Sequence, residues 1–99
     1  MQSKGKRAQT KAERAYVSRV AALPCVVCGA DPVEVHEFEQ GHWFTSVPVC
    51  PACHRGPRGW HGDRLAWKLA RIDKDEAINR TVGAVWGAAN FICADRLQT

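Results

Sequence analysis

Two Cys-x-x-Cys pairs constrain this chain more than any other feature: Cys25-Val-Val-Cys28 and Cys50-Pro-Ala-Cys53, with 21 residues between Cys28 and Cys50. Each pair forms a tight knuckle that offers two thiolates along one edge of a tetrahedron. Two knuckles together close a four-thiolate zinc sphere. Such a sphere keeps no open position, so the predicted zinc is structural and ties together the two ends of the intervening loop. The competing reading is a pair of disulfides or unligated buried thiols. Five cysteines are an odd number, which suits a reducing compartment better than a secreted disulfide scaffold and predicts a cytoplasmic protein. Cys93 is the one left over, a small apolar residue in Phe91-Ile-Cys93-Ala. At 99 residues the chain is near the lower end of what one core stabilises alone, and zinc binding free energy would add directly to folding. No apolar run is long enough to span a bilayer, and the basic N-terminus carries no signal-peptide pattern.

The net charge of +4 conceals a segregation. Residues 1–23 hold Lys4, Lys6, Arg7, Lys11, Arg14 and Arg19 against Glu13 alone. Residues 24–53 hold Asp31, Glu34, Glu37 and Glu39 with no cation. Residues 54–72 return to basic, with Arg55, Arg58, Arg64, Lys68 and Arg71 against Asp63. Two basic segments flanking an acidic, cysteine-bearing centre are what a phosphate-backbone binder with an embedded cation site would show, although solvated helix faces alone could give the same counts.

Residues 1–7 read as a flexible basic arm, leaving residues 8–99 as one domain. From Ala8 to Leu23 the apolar residues recur at helical steps, Thr10 and Glu13 offer a capping box, and Pro24 stops the helix before the first knuckle. Gly29-Ala-Asp-Pro32 is turn chemistry that launches Val33–Phe38 as a strand. Gln40-Gly41 breaks it, and Trp43–Val49 reads as the return strand into the second knuckle. A second helix is predicted over about Gly62–Ile72 and a third over about Lys74–Ala88, with Ala77, Ile78, Val82, Val85 and Trp86 as its buried stripe. The expected fold is therefore α+β: a small zinc-clamped β-hairpin flanked by an N-terminal helix and C-terminal helices. Trp67 and Trp86 are expected in the core. Trp43 and Trp60 flank the segments around the second knuckle that carry the histidines, where they could stack on a base or fill the hairpin, core packing being favoured.

All four histidines lie between positions 36 and 61, around the second knuckle. A lone histidine is usually a surface or satisfied core residue, and His42 at the hairpin tip is read that way. His36 on the outgoing strand and His54 just past Cys53 differ, because the clamp itself brings their segments together. A divalent cation held there could bind a phosphate and keep water in its open positions, with a nearby base activating that water. Arg55, Arg58 and Arg64 would then meet the nonbridging oxygens.

The order Cys-x-x-Cys, strand histidine, then Val47-Pro-Val-Cys50-Pro-Ala-Cys53-His54 resembles the HNH endonucleases, a ββα-metal fold. It is most similar to small zinc-knuckle HNH proteins of phages and prophages, including the YbcO-like and recombination-enhancement (Ref-like) nucleases. His42-Trp-Phe-Thr-Ser-Val-Pro-Val-Cys50 looks like the segment preceding the second knuckle in the Ref-like group. The likeness covers roughly residues 24–65. It implies a metal-dependent DNA endonuclease or nickase linked to DNA recombination or processing, working as a monomer or homodimer, with DNA and recombination proteins as partners and no membrane association. By position it makes His54 a ligand of the catalytic ion, Mg2+ or another divalent cation, beside the structural Zn2+ on Cys25, Cys28, Cys50 and Cys53. One alignment makes His36 a ligand and Glu37 the general base; the other makes His36 itself the base, which a histidine's neutral-range pKa favours. His61 supplies a further ligand or replaces a missing role. The middle asparagine of the family pattern is absent, with Thr45 or Ser46 near its place, and Gly56-Pro57 interrupts the helix that begins at the second knuckle.

Backbone contacts to nucleic acid are expected from Lys4, Lys6, Arg7, Arg55, Arg58, Arg64 and Lys68, which position without specifying sequence. The alternative is a non-catalytic zinc-ribbon module that binds nucleic acid. The histidine cluster separates the two, since a binding module gains nothing from His36, His54 and His61 around one clamp.

Overall fold

The structure, a computed structural model, describes residues 8–98 and the side chains of residues 8–87. The basic arm, with Lys4, Lys6 and Arg7, and the side chain of Cys93 lie outside the described residues. The described residues are α+β: a two-stranded antiparallel hairpin with four α-helices.

Helix α1 spans Lys11–Ala21. Its start is a reciprocal capping box, in which the Glu13 amide donates to Thr10 Oγ1 at 3.1 Å and the Thr10 amide donates to Glu13 Oε1 at 2.8 Å. Two of the helix's otherwise orphaned donors are thereby satisfied. After Pro24 comes the first knuckle. The amides of Val27 and Cys28 both point at Cys25 Sγ, each at 3.4 Å, and the Gly29 amide donates to the Cys25 carbonyl at 2.8 Å. Gly29 turns the chain with φ +80, a conformation that costs glycine little.

Strand β1 is Glu34–His36 and strand β2 is Val47–Val49, paired with Glu34 opposite Val49, Val35 opposite Pro48 and His36 opposite Val47. The Pro48 carbonyl accepts from the Val26 amide at 2.9 Å, which ties the first knuckle to β2. Both strands are shorter than the sequence suggests. Trp43–Thr45 is a 3-10 turn instead of strand. The reason is local: Ser46 Oγ donates to the Trp43 carbonyl at 2.7 Å and Thr45 Oγ1 to the His42 carbonyl at 3.1 Å, so side-chain hydroxyls take carbonyls that a ladder would need.

Helix α2, Pro51–Arg55, starts at the second knuckle with proline at its first turn and ends at Gly56. Residues 56–64 then fold back over it. Gly59 lies against the knuckle so closely that a Cβ there would stand 2.7 Å from the carbonyl carbon of Cys53. Helix α3 is only Leu65–Leu69, shorter than the expected Gly62–Ile72. Its N-terminal side is consumed by the fold-back: Arg64 is left-handed at φ 63, and Asp63 Oδ1 accepts from the Leu65 amide at 2.9 Å. Helix α4, Lys74–Gln98, runs well past the expected Ala88. Gly83 and Gly87 lie within it, each costing about 1 kcal/mol against alanine, too little to end a helix of that length. No helix among the described residues is long and apolar enough to cross a membrane.

The core gathers Val47, Val49, Trp67, Ile72 and Ala77 around Cys25, Cys50 and Cys53. The cysteines are thus part of the core itself. Trp67 is buried and donates its indole N–H to the Cys53 carbonyl at 2.8 Å. Trp86 departs from expectation. It is 61% exposed and looks out over a groove between α1 and α4, while Thr81 takes the buried position and back-bonds to the Ala77 carbonyl at 2.8 Å.

Candidate metal centres

The four knuckle cysteines converge: their sulfurs all lie within 4.8 Å of one another. Cys28 Sγ and Cys50 Sγ are 3.6 Å apart. That is far from a disulfide bond of about 2.05 Å. It is close to the edge of about 3.8 Å that follows from tetrahedral Zn–S bonds of about 2.3 Å. The electrostatics are uneven across the cluster. Burial pushes the Cys25 thiol up, but the backbone N–H groups aimed at it outweigh that and hold it at about 7. Burial drives Cys53 upward, and neighbouring thiols add to the effect. Charge crowded onto buried sulfurs is what a bound cation relieves, so the cluster could hold zinc.

The second cluster is His36, His54 and His61, each of which brings one ring nitrogen within 4.8 Å of the others'. Each reaches the site from a different element. His36 ends β1. His54 sits on α2, one residue beyond the knuckle. His61 arrives by the fold-back, in which the Trp60 amide donates to the Cys53 carbonyl at 2.9 Å and the His61 amide to the His54 carbonyl at 3.0 Å. Ring centroids are 4.8 Å apart for His36 and His54, 5.3 Å for His36 and His61, and 4.9 Å for His54 and His61. An aromatic floor lies beside them: Phe38 meets His36 edge-on at 4.6 Å, and Trp60 packs on both Phe38 and Trp67.

Alternate residues of the outgoing strand build one side of this site. Glu34 and His36 share a face because strand side chains alternate. Glu34 Oε1 accepts from His54 Nδ1 at 2.7 Å, and the His54 Nε2 to His36 Nδ1 distance is 3.1 Å. Arg55 grips the same carboxylate through Nε, at 3.0 and 3.1 Å, and through Nη2. Hydrogen bonds from Arg55 and then His54 hold the Glu34 carboxyl at about 2, far below the usual range. His36 moves the other way for its type. It is 6% exposed, and burial, with the neighbouring His54 and His61, lowers it to about 4. A neutral His36 therefore stands among the three rings at neutral pH. Its Nε2 is buried and has no hydrogen-bond partner among the described residues.

These observations test whether the residues suit a metal. With metal–nitrogen bonds of about 2.0–2.1 Å, two tetrahedral ligand nitrogens stand about 3.4 Å apart. The 3.1 Å His36–His54 pair needs to open by only a few tenths of an ångström. The donors are imidazoles, one of them backed by a carboxylate, which is the usual way a metal-ligating histidine is held. The residues fit.

The other candidate site residues are placed differently. Glu37 Oε1 accepts from the Gly41 amide at 2.6 Å, in the loop after β1, and its charge is close enough to raise His36 against the other influences. His42 pairs with exposed Glu39 at 3.2 Å. Arg58 pairs with Asp63 at 2.5 Å. Arg64 Cζ stands over the Trp60 ring, 3.7 Å from its centroid, and Arg64 donates Nε–H to the Trp60 carbonyl at 2.8 Å. Lys68 is exposed on α3. Glu34 is the site residue that sequence reasoning missed. The available signal was its position two residues before His36 on the same strand face. Family profiles, curated proteins and solved structures return no match to this chain.

Proposed function

We propose that the protein is a metal-dependent DNA endonuclease or nickase of the HNH type, with zinc on the four cysteines as its clamp and a second ion on His36, His54 and His61. The observation that carries this reading is the convergence of those three imidazoles beside the clamp. Such a cluster has no use in a purely architectural zinc ribbon. Three imidazoles with no carboxylate oxygen among them suit zinc, nickel or iron better than magnesium, so the ion is a transition metal. Bound there, it would act as a Lewis acid on the scissile phosphate and stabilise the departing 3′ oxygen.

The chain's own residues divide the remaining work. Burial of the His36 side chain, 6% exposed and with its Nε2 out of solvent, makes it a ligand in preference to the base. Glu37, next along the chain, is then the group that takes a proton from the attacking water. The water oxygen bonds to phosphorus, the phosphorus–O3′ bond breaks, and the leaving oxygen is protonated from solvent. Arg64, spread over Trp60 with its terminal N–H groups turned to no partner among the described residues, receives a nonbridging phosphate oxygen. Arg55 and Arg58 are already paired with Glu34 and Asp63 and contribute less.

The test is nicking of supercoiled plasmid by zinc-loaded protein with manganese, cobalt, nickel or magnesium added, against EDTA. Nicking by the wild type that is lost in His54→Ala and in Glu37→Gln, with zinc content intact, supports the reading. Salt-sensitive DNA binding without cleavage under any ion would leave a zinc-clamped binding module instead.

A further inference from the structure

We infer that Glu34 is the positioning residue of the three-histidine site: it fixes the tautomer of His54 so that the bare Nε2 faces the cluster. The inference rests on the reading of that cluster as a metal site. An ionised carboxylate only accepts hydrogen bonds, so the 2.7 Å contact between Glu34 Oε1 and His54 Nδ1 requires the proton on Nδ1. A neutral imidazole then has its lone pair on Nε2. That nitrogen is the one directed at His36, 3.1 Å away. The opposite tautomer would aim an N–H into the space between the histidines and set a lone pair against a carboxylate oxygen.

The carboxylate is itself prevented from turning. Arg55 Nε reaches both of its oxygens, at 3.0 and 3.1 Å, and Nη2 takes the outer one. The result is a chain running from Arg55 through Glu34 to His54 and His36, joining β1 to α2 across the clamp. With His54 Nε2 fixed as an acceptor, His36 Nδ1 is the donor of the 3.1 Å contact before an ion is bound, and seating an ion between the two nitrogens moves that proton to His36 Nε2, which has no partner among the described residues. Arg55 therefore acts inside the site as a brace for Glu34, a role different from the phosphate contact its sequence position suggests.

Outer-shell partners of ligating histidines are typically worth 10–100-fold in metal affinity. The experiment uses the full chain with its cysteine site loaded with zinc and reads two quantities. Long-range proton–nitrogen NMR reports which His54 nitrogen carries the proton before any second ion is added. Calorimetric titration with Co2+ then reports affinity at the second site. The wild type should show His54 protonated at Nδ1. Glu34→Ala should shift His54 toward the Nε2–H form and weaken Co2+ binding about 10–100-fold, with the cysteine-bound zinc unchanged. Glu34→Gln keeps the shape and an acceptor oxygen, so it should fold as the wild type does and fall between the two. A His54 tautomer unaltered in both variants would overturn the inference. If the wild type binds no Co2+ beyond the cysteine site, the metal reading of the histidines fails, while the tautomer measurement still decides what Glu34 does.

Discussion

The backbone N–H of His61 donates to the carbonyl of His54 at 3.0 Å, and the two imidazole rings stand 4.9 Å apart. Nothing in a seven-residue separation through Gly56-Pro57 and Gly59 announces that pairing. It arises because residues 56–64 fold back on α2, packing Gly59 against the Cys53 backbone where no side chain would fit. The interruption that ends α2 early is therefore the device that delivers the third histidine.

Gly59→Ala tests that device. A Cβ 2.7 Å from the Cys53 carbonyl carbon must displace backbone. Overpacking of this kind costs about 1–3 kcal/mol. Thermal denaturation of zinc-loaded protein should show the loss, and the second metal site should weaken with it.

Removing zinc should unfold the domain. Three of the four knuckle cysteines are buried in the core, so loss of zinc removes the tie between the two knuckles and leaves their sulfurs to take up protons inside the core. Structural zinc supplies about 10–16 kcal/mol in small zinc-folded peptides at neutral pH, as much as a domain's whole stability or more. Strong chelation, or Cys50→Ser, should abolish the near-ultraviolet circular dichroism of the tryptophans.

The two helical tryptophans should respond oppositely. Trp67 is fully packed and hydrogen-bonded to the Cys53 carbonyl, so Trp67→Ala should cost about 3–5 kcal/mol in urea denaturation. Trp86 is 61% exposed, so Trp86→Ala should change stability by less than about 1 kcal/mol.

DNA affinity should fall steeply between about 50 and 200 mM salt if phosphate contacts dominate. Arg64→Ala should reduce the slope of log affinity against log salt by about one. Arg58→Ala should reduce it less, because Asp63 already neutralises that guanidinium. A flat affinity across that range would remove the electrostatic footprint.

Much of this was legible in the chain. The knuckles, the Thr10–Glu13 capping box and the hairpin between the cysteine pairs are local or metal-spaced signals, and the structure has each of them. What was not legible depended on tertiary choice. Trp86 looks apolar and sits at a core spacing, yet Thr81 and Val85 take the buried side of α4 and leave the indole outside. Trp43–Thr45 carries strand-forming residues, but two hydroxyls claim the carbonyls and wind it into a turn. Arg55 looked like a free cation beside the site; its partner, Glu34, lies 21 residues away and is brought close only by the clamp.

If the four cysteines and the three histidines each hold an ion, the chain carries two metal sites. Native mass spectrometry of zinc-loaded protein equilibrated with Co2+, read alongside plasmid nicking, measures it most directly. Two ions are expected per wild-type chain, one ion in His54→Ala and in His61→Ala, and nicking only in the two-ion form. A wild type that holds a single ion and still nicks DNA, or two ions that persist after both histidine substitutions, would contradict it.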